Sequence, residues 1–202
     1  MAAVALVGWL VFLAVGAGWR SWLQRRLTGD HGFRALAAPL GSPEQLAGAA
    51  LLAGAVVSVA APVLVLTGTI GTWRVIESPA ATTLGIVLFA AGMAITVRAQ
   101  LDMGASWRIG VDRRERTALA TRGLYHHARN PIYSGMLLVW IAEALLVPNA
   151  ASLFGLVLTF VAIEAFVRRI EEPHLLAVHG DNYRAYARSV GRFPPGVGLL
   201  CS

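Results

Sequence analysis

Lysine is absent from this 202-residue chain: all 17 basic side chains are arginine, against 11 acidic ones, for a formal net charge of +6. Cysteine is nearly absent. Cys201 stands alone beside Ser202, so no internal disulfide can form and no C-a-a-X box surrounds it. Charge of either sign is scarce, at 14% of residues, where a soluble protein carries about 25%. With 56% apolar residues and a mean hydropathy of +0.63, the chain is no disordered protein, disulfide scaffold or ordinary cytosolic enzyme. It reads as a multi-span membrane protein. A pI near 10.7 then suits anionic membrane lipids, and nucleic acid is not expected as a partner.

Familiar chemical signatures are missing as well. There is no G-x-G-x-x-G and no G-x-x-x-x-G-K-[ST], hence no dinucleotide fingerprint and no P-loop. No serine sits in G-x-S-x-G. His126-His127 lacks zinc spacing and has no cysteine to support it. Glu171 and His174 form a single Glu-x-x-His, where a di-iron bundle needs two. No metal is expected.

What is present is five apolar stretches, roughly Ala2–Trp19, Gln45–Thr67, Ala80–Leu101, Pro131–Val147 and Ala151–Val167. A span needs about 20 apolar residues. The first three qualify, and the last two, parted only around Pro148-Asn149, read as a tight helical hairpin. The first lacks a basic n-region and reads as a retained helix rather than a signal peptide. Ser42-Pro43-Glu44-Gln45, Ser78-Pro79 and Asn130-Pro131 each read as a cap followed by proline at N1. With five spans, Arg20, Arg25, Arg26, Arg34, Arg98 and every later arginine fall on one side, and Arg74 alone on the other. The positive-inside rule then places the N-terminus outside and the C-terminus in the cytoplasm. Trp19, Trp22, Trp73 and Trp107 sit at span ends, as interfacial anchors do. The expected fold is all-α, with three spans in residues 1–101. Residues 102–202 carry the cytoplasmic loop, the hairpin and the C-terminal segment. The Arg113-Arg114-Glu115-Arg116 run reads as a loop against headgroups.

All five histidines and all four tyrosines fall on the cytoplasmic side or its interface. Folding the hairpin about Pro148–Ala150 brings Tyr125 to Asn130 level with Arg168 to Glu172, to within about a turn. An arginine, a tyrosine, a cap asparagine and two adjacent carboxylates thus meet at one mouth of the bundle. Glu164 lies inside an apolar span. It reads either as an i,i+4 ion pair with Arg168 or as a functional carboxylate. Glu143, nearer the outer mouth, reads as structural. Pro173 predicts that the fifth helix ends or kinks at Glu171-Glu172. Asp181 is the expected N-cap of a short helix through Val190, with Tyr183 and Tyr186 on one face.

These residues carry a resemblance. Gly123-Leu124-Tyr125-His126-His127-Ala128-Arg129-Asn130-Pro131-Ile132-Tyr133-Ser134-Gly135 resembles the G-x-Y-x-x-x-R-[HN]-P-x-Y-x-G signature of isoprenylcysteine carboxyl methyltransferase-like integral membrane methyltransferases, relatives of the phospholipid methyltransferases. Glu171-Glu172-x-x-Leu175 and Gly180-x-x-Tyr183-x-x-Tyr186-x-x-x-Val190-x-Arg192-x-Pro194 are similar to the family's second block. Met103–Arg108 is similar to a segment upstream of the first. The likeness covers about residues 95–195 and makes 102–202 the catalytic region.

The resemblance implies S-adenosylmethionine bound on the cytoplasmic side, and a lipophilic acceptor entering from the bilayer. It implies Tyr125, Asn130, Tyr133, Glu171, Glu172 and Tyr183 as the cofactor pocket. Arg129 and Glu172 would stand nearest the chemistry, and Arg129, Glu164 and Tyr186 near the substrate. Asn130 departs from the histidine of many relatives and cannot titrate near neutral pH. Methyl transfer is an in-line displacement that needs alignment and desolvation. A carboxylate acceptor would be held by the Arg129 fork. An amine acceptor would need a base, Glu164 or Glu172. The arginine favours the carboxylate, hence O-methylation of a lipid-like or prenyl-bearing small molecule. The alternatives are amine N-methylation of a phospholipid, an NADPH-dependent membrane reductase of the sterol-reductase type, and a non-catalytic helix bundle. The lysine-free composition suggests a bacterial plasma membrane of a high-GC organism.

Overall fold

The computed structural model describes residues 1–32, 39–108, 110 and 118–200. Arg34, the Arg113-Arg114-Glu115-Arg116 run and Cys201 lie outside the described residues. Among those described there are six helices and no strand: α1 (Ala2–Thr28), α2 (Pro43–Leu66), α3 (Pro79–Met103), α4 (Pro131–Leu146), α5 (Ala150–His179) and α6 (Asp181–Ser189). Helices α1, α2, α3 and α5 are long and apolar enough to cross a membrane. Helix α4 has 16 residues, a rise of about 24 Å against a hydrocarbon core of about 30 Å. Four of the five expected spans therefore meet the length requirement, and the fourth in sequence is a shorter apolar helix.

Two helices run past their expected ends, for one physical reason. The sequence pattern ends α1 at Trp19, but the helix continues to Thr28 through a π-helical segment, Ala14–Trp19. Helix α5 passes Glu171-Glu172 through another, Val167–Glu171, and reaches His179. Pro173 does not break it. A wide turn immediately before proline has no use for the missing N–H and relieves the clash with the preceding turn. Each π segment also shifts the register of the helix beyond it. After the first, the buried face passes from Gly16 to Arg20, Ser21 and Gln24. Arg20, counted in the sequence among the arginines of one membrane side, is 0% exposed.

The caps agree with the sequence in part. Ser42 Oγ accepts from Gln45 N (3.1 Å) and Ser78 Oγ from Ala81 N (3.1 Å). Gln45 reaches one residue further back than a capping box, accepting from Gly41 N. Asn149 caps α5 in a full capping box with Ser152. Asn130 precedes α4 without a side-chain capping bond, and its Nδ2 donates to Arg192 O (3.1 Å). Asp181 is not the N-cap of α6. Gly180 is, with φ +52°, and Asp181 lies within the first turn, paired with Arg184 at 2.8 Å.

The most extensive helix contacts are α3 with α4 and α2 with α5. Both depend on small residues at the crossing, as expected where lipid supplies no hydrophobic drive between helices. A Cβ on Gly135 would stand 2.7 Å from Gly92 O and 2.5 Å from Thr96 Oγ1. A Cβ on Gly155 would stand 2.3 Å from Ser58 Oγ. Helix α1 joins through Trp9 and Phe12, which meet Trp140 of α4 edge to face at 4.5 and 6.0 Å. Ala2 and Ala5 pack with Leu146 and Val147 at one end of the bundle. Arg20 meets the end of α3 at the other.

Gly135→Ala puts a methyl group against backbone that cannot yield. We expect a loss of about 1–3 kcal/mol, read as a lowered Tm in detergent. An unchanged Tm would contradict the close α3–α4 crossing.

Candidate functional site

The second end of the bundle carries a cleft. One wall is the short 3-10 turn Gly123–His126, which presents Tyr125. Gly123 has φ +61°, and a Cβ there would lie 2.2 Å from Asp102 Oδ2. Glycine is required on both counts. Asp102 Oδ2 accepts from Leu124 N at 2.9 Å, while Oδ1 pairs with Arg98 at 3.0 Å. The end of α3 thereby holds the Tyr125 turn.

The chain then meets its own C-terminal segment. Ala128 bridges Gly191 in parallel fashion, with Arg129 N donating to Gly191 O (2.8 Å) and Asn130 N to Arg192 O (3.0 Å). Side chains reinforce the contact. Arg129 Nη1 donates to Ala187 O (2.8 Å), and Nη2 to Gly198 O (2.8 Å) and Glu172 Oε1 (2.7 Å). Arg192 Nε and Nη2 donate to Glu172 Oε1 (2.8 Å) and Oε2 (3.0 Å). Glu172 is thus held between two guanidiniums, one from each side of the junction, with Glu172 7% and Arg129 5% exposed. Ser134 Oγ donates to Phe193 O (3.0 Å) and Tyr186 Oη to Tyr125 O (2.5 Å).

The cleft brings together all but one of the site residues expected from sequence. Tyr125, Asn130, Tyr133, Glu171, Glu172 and Tyr183 line it, as do Arg129 and Tyr186. Glu164 does not. It is half-buried on α5 in an ion pair with Arg168, the simpler of its two readings. Arg129 comes level with Glu172, within the turn allowed for the hairpin. Sequence reasoning gives no role to Met103, Arg108, Phe166 and His174, which also line the cleft. Met103 and Arg108 stand in the upstream block, so a signal was there. His174 stands in the single Glu-x-x-His, which carries no metal signature. Among the described residues no cluster of acidic, histidine or cysteine side chains could hold a metal ion.

The two glutamates differ in kind. Glu172 has both oxygens occupied by arginine. Glu171 Oε2 is buried and, among the described residues, has no hydrogen-bond partner. The tyrosines are uncharged donors. Burial, then the neighbouring Glu171, pushes Tyr125 well above the ordinary phenol value. Burial, then Glu172, does the same to Tyr183. Tyr186 is pushed up to about 12 by burial, with the Arg129 charge opposing. None of these phenols is a base at neutral pH. The hydrogen bond to Glu172 raises Arg192 further, so it stays a cation.

This chemistry has two measurable outcomes. Glu172→Ala leaves two buried guanidiniums without their anion and should cost about 3–5 kcal/mol of stability, whereas Glu171→Gln should leave Tm close to wild type. Equal Tm losses in thermal unfolding would contradict the division between them. A phenol with a raised folded pKa loses its proton in the unfolded chain first, near pH 10. Stability is therefore complete below pH 10 and falls as pH rises through that value toward the folded values. A Tm series in detergent that stayed flat across this window would contradict the buried phenols.

A family model described as phospholipid methyltransferase matches residues 80–182, just over half of the chain. The matched stretch runs from α3 through the Tyr125 turn, α4 and α5 to the first residues of α6. It contains Asp102, Arg129 and both glutamates, and ends just before Tyr183. A search of curated proteins finds no match. With the signature residues drawn to one cleft and this match over the elements that build it, the chain belongs to the phospholipid methyltransferase family of integral membrane methyltransferases.

Proposed function

We propose that the cleft binds S-adenosylmethionine and directs its methyl group to a lipophilic acceptor arriving from the bilayer. The observation that carries this reading is the unpartnered, buried Glu171 Oε2 in a cleft lined by the family's own tyrosines. The donor set fits the cofactor, whose sulfonium and ammonium cations call for a carboxylate and hydroxyl oxygens. When bound, the cofactor supplies an electrophilic methyl group on a positive sulfur. The chain contributes alignment and exclusion of water. Glu171 meets positive charge, Tyr125 and Tyr183 offer hydroxyls, and Phe166 and Tyr133, stacked edge to face at 6.3 Å, form an apolar side. Glu172 orients the wall through Arg129 and Arg192 without needing to touch the reacting atoms.

The acceptor chemistry shifts with the geometry. The sequence favours O-methylation of a carboxylate held by a guanidinium fork at Arg129. Both Nη groups of Arg129 are committed to internal acceptors. An amine acceptor is better supported. Glu171 would take the proton of the ammonium, and the freed nitrogen lone pair would form the C–N bond as the C–S bond to the methyl carbon breaks, with S-adenosylhomocysteine leaving as the neutral thioether. Glu164, paired with Arg168 and absent from the cleft lining, is not the base. A nicotinamide-dependent reduction has no comparable support from the family match. The arginine-rich end of the bundle carries the cleft, so the positive-inside rule supports a cytoplasmic active site.

The test is calorimetry on detergent-purified protein. S-adenosylmethionine should bind in the micromolar range, Glu171→Gln should weaken it at least tenfold, and NADPH should not bind. Binding of NADPH alone, or no binding by a folded protein, would overturn the proposal.

A further inference from the structure

Helix α1 lies wholly outside the family-matched residues, yet it buries a guanidinium against the cleft's scaffold. Arg20 is 0% exposed, whereas Arg25 and Arg26 further along the same helix are exposed. Its Nη2 donates to Gly104 O (2.5 Å) and Gln100 O (3.4 Å), and its Nη1 to Gln24 Oε1 (3.0 Å). Its guanidinium lies 4.5 Å from the ring centroid of Trp107, itself 2% exposed. Gln24 Nε2 donates to Ala105 O (2.7 Å), and Gln100 Nε2 returns to Gly16 O in the π segment (2.8 Å). No carboxylate pairs with Arg20 among the described residues.

The segment Gln100–Arg108 therefore has two faces. One is gripped by Arg20 and Gln24. The other carries Asp102, which holds the Tyr125 turn, and Met103 and Arg108, which line the cleft. The charge of Arg20 also reaches Tyr125 directly, opposing the rise that burial imposes on its phenol. The π segment at Ala14–Trp19 lies immediately before Arg20, so the register that points it inward is built into α1.

We propose that Arg20 is a positioning residue for the cleft, fixing Gly104–Trp107 and through them Met103, Arg108 and the Tyr125 turn. The proposal rests on the methyltransferase reading for its effect on catalysis, but not for its effect on the wall. A merely structural arginine would stabilise the bundle and leave the cleft's order and affinity unchanged. A lysine would keep the charge but lose the planar stack and the fork between two carbonyls.

The experiment compares Arg20→Gln and Arg20→Lys with Phe12→Leu, a buried change on the same helix. Two readouts are taken: hydrogen exchange of the ligand-free protein, and S-adenosylhomocysteine affinity by calorimetry. Arg20→Gln should speed exchange in residues 104–107 and 123–127 and weaken binding at least tenfold. Arg20→Lys should fall between that variant and wild type. Phe12→Leu should lower Tm with neither effect. If Arg20→Gln lowers Tm but leaves exchange in both segments at wild-type rates, the proposal is overturned. If wild type binds no S-adenosylhomocysteine, the methyltransferase reading fails, while the exchange result still decides the role of Arg20. Should Arg20→Gln not fold, Trp107→Phe, which keeps an aromatic face beneath the guanidinium, and Arg20→Lys carry the same comparison.

Discussion

Glu172 joins three parts of the chain that are far apart in sequence. It sits just after the π segment of α5, accepts from Arg129 ahead of α4, and accepts twice from Arg192 beyond α6. Remove the carboxylate and two cations remain facing each other in a low-dielectric junction, which strongly favours separation. The backbone bridge at Ala128–Gly191, the position of Tyr183 and Tyr186 over the cleft, and the register of Asn130 all sit on that junction. The arrangement also explains a division of labour within an adjacent acidic pair. One glutamate is consumed by architecture, and its neighbour, a turn fraction away, is left with an oxygen facing the cleft.

The two π segments act on the same problem from different helices. A membrane-spanning helix must show apolar residues to lipid, yet at its end it must aim polar side chains inward. An added residue in one turn rotates everything beyond it without breaking the helix or exposing its carbonyls. In α1 this turns Arg20 and Gln24 onto the end of α3. In α5 it leads into Glu171 and Glu172 and makes room for Pro173.

Much of the site was legible in the sequence because its residues are local and typed by their chemistry. The Arg129-Asn130-Pro131 stretch and the Glu171-Glu172 pair could be set level by a hairpin argument alone, and the cleft contains both. The three long apolar helices α1, α2 and α3 were legible for the same reason, since composition dictates them, while α5 owes its length to the turn past Glu171-Glu172. Other features depended on long-range partners that no spacing reveals. Asn130 looks like a cap, but its side chain makes no capping bond and is oriented instead by a carbonyl 62 residues away, to which Nδ2 donates. Arg129 looks like a fork for a substrate carboxylate until the C-terminal segment supplies Ala187 and Gly198 as acceptors. The burial of Arg20 could not be read from the sequence, because nothing local signals the π segment before it. Pro173 looks like a stop because the helix rule assumes an α turn ahead of it. Each departure comes from tertiary context overriding a sound local rule.

The central claim is that Glu172 and Arg192 hold the C-terminal segment on the hairpin as a coupled pair. The most direct test is a double-mutant cycle on unfolding free energy in detergent with Glu172→Gln, Arg192→Met and the combined variant. The account predicts strong non-additivity, a coupling of about 0.5–3 kcal/mol, with the double variant less damaged than the sum of the two single changes. Additive losses would show that the two side chains stabilise the protein independently, and would contradict the junction on which this view of the cleft depends.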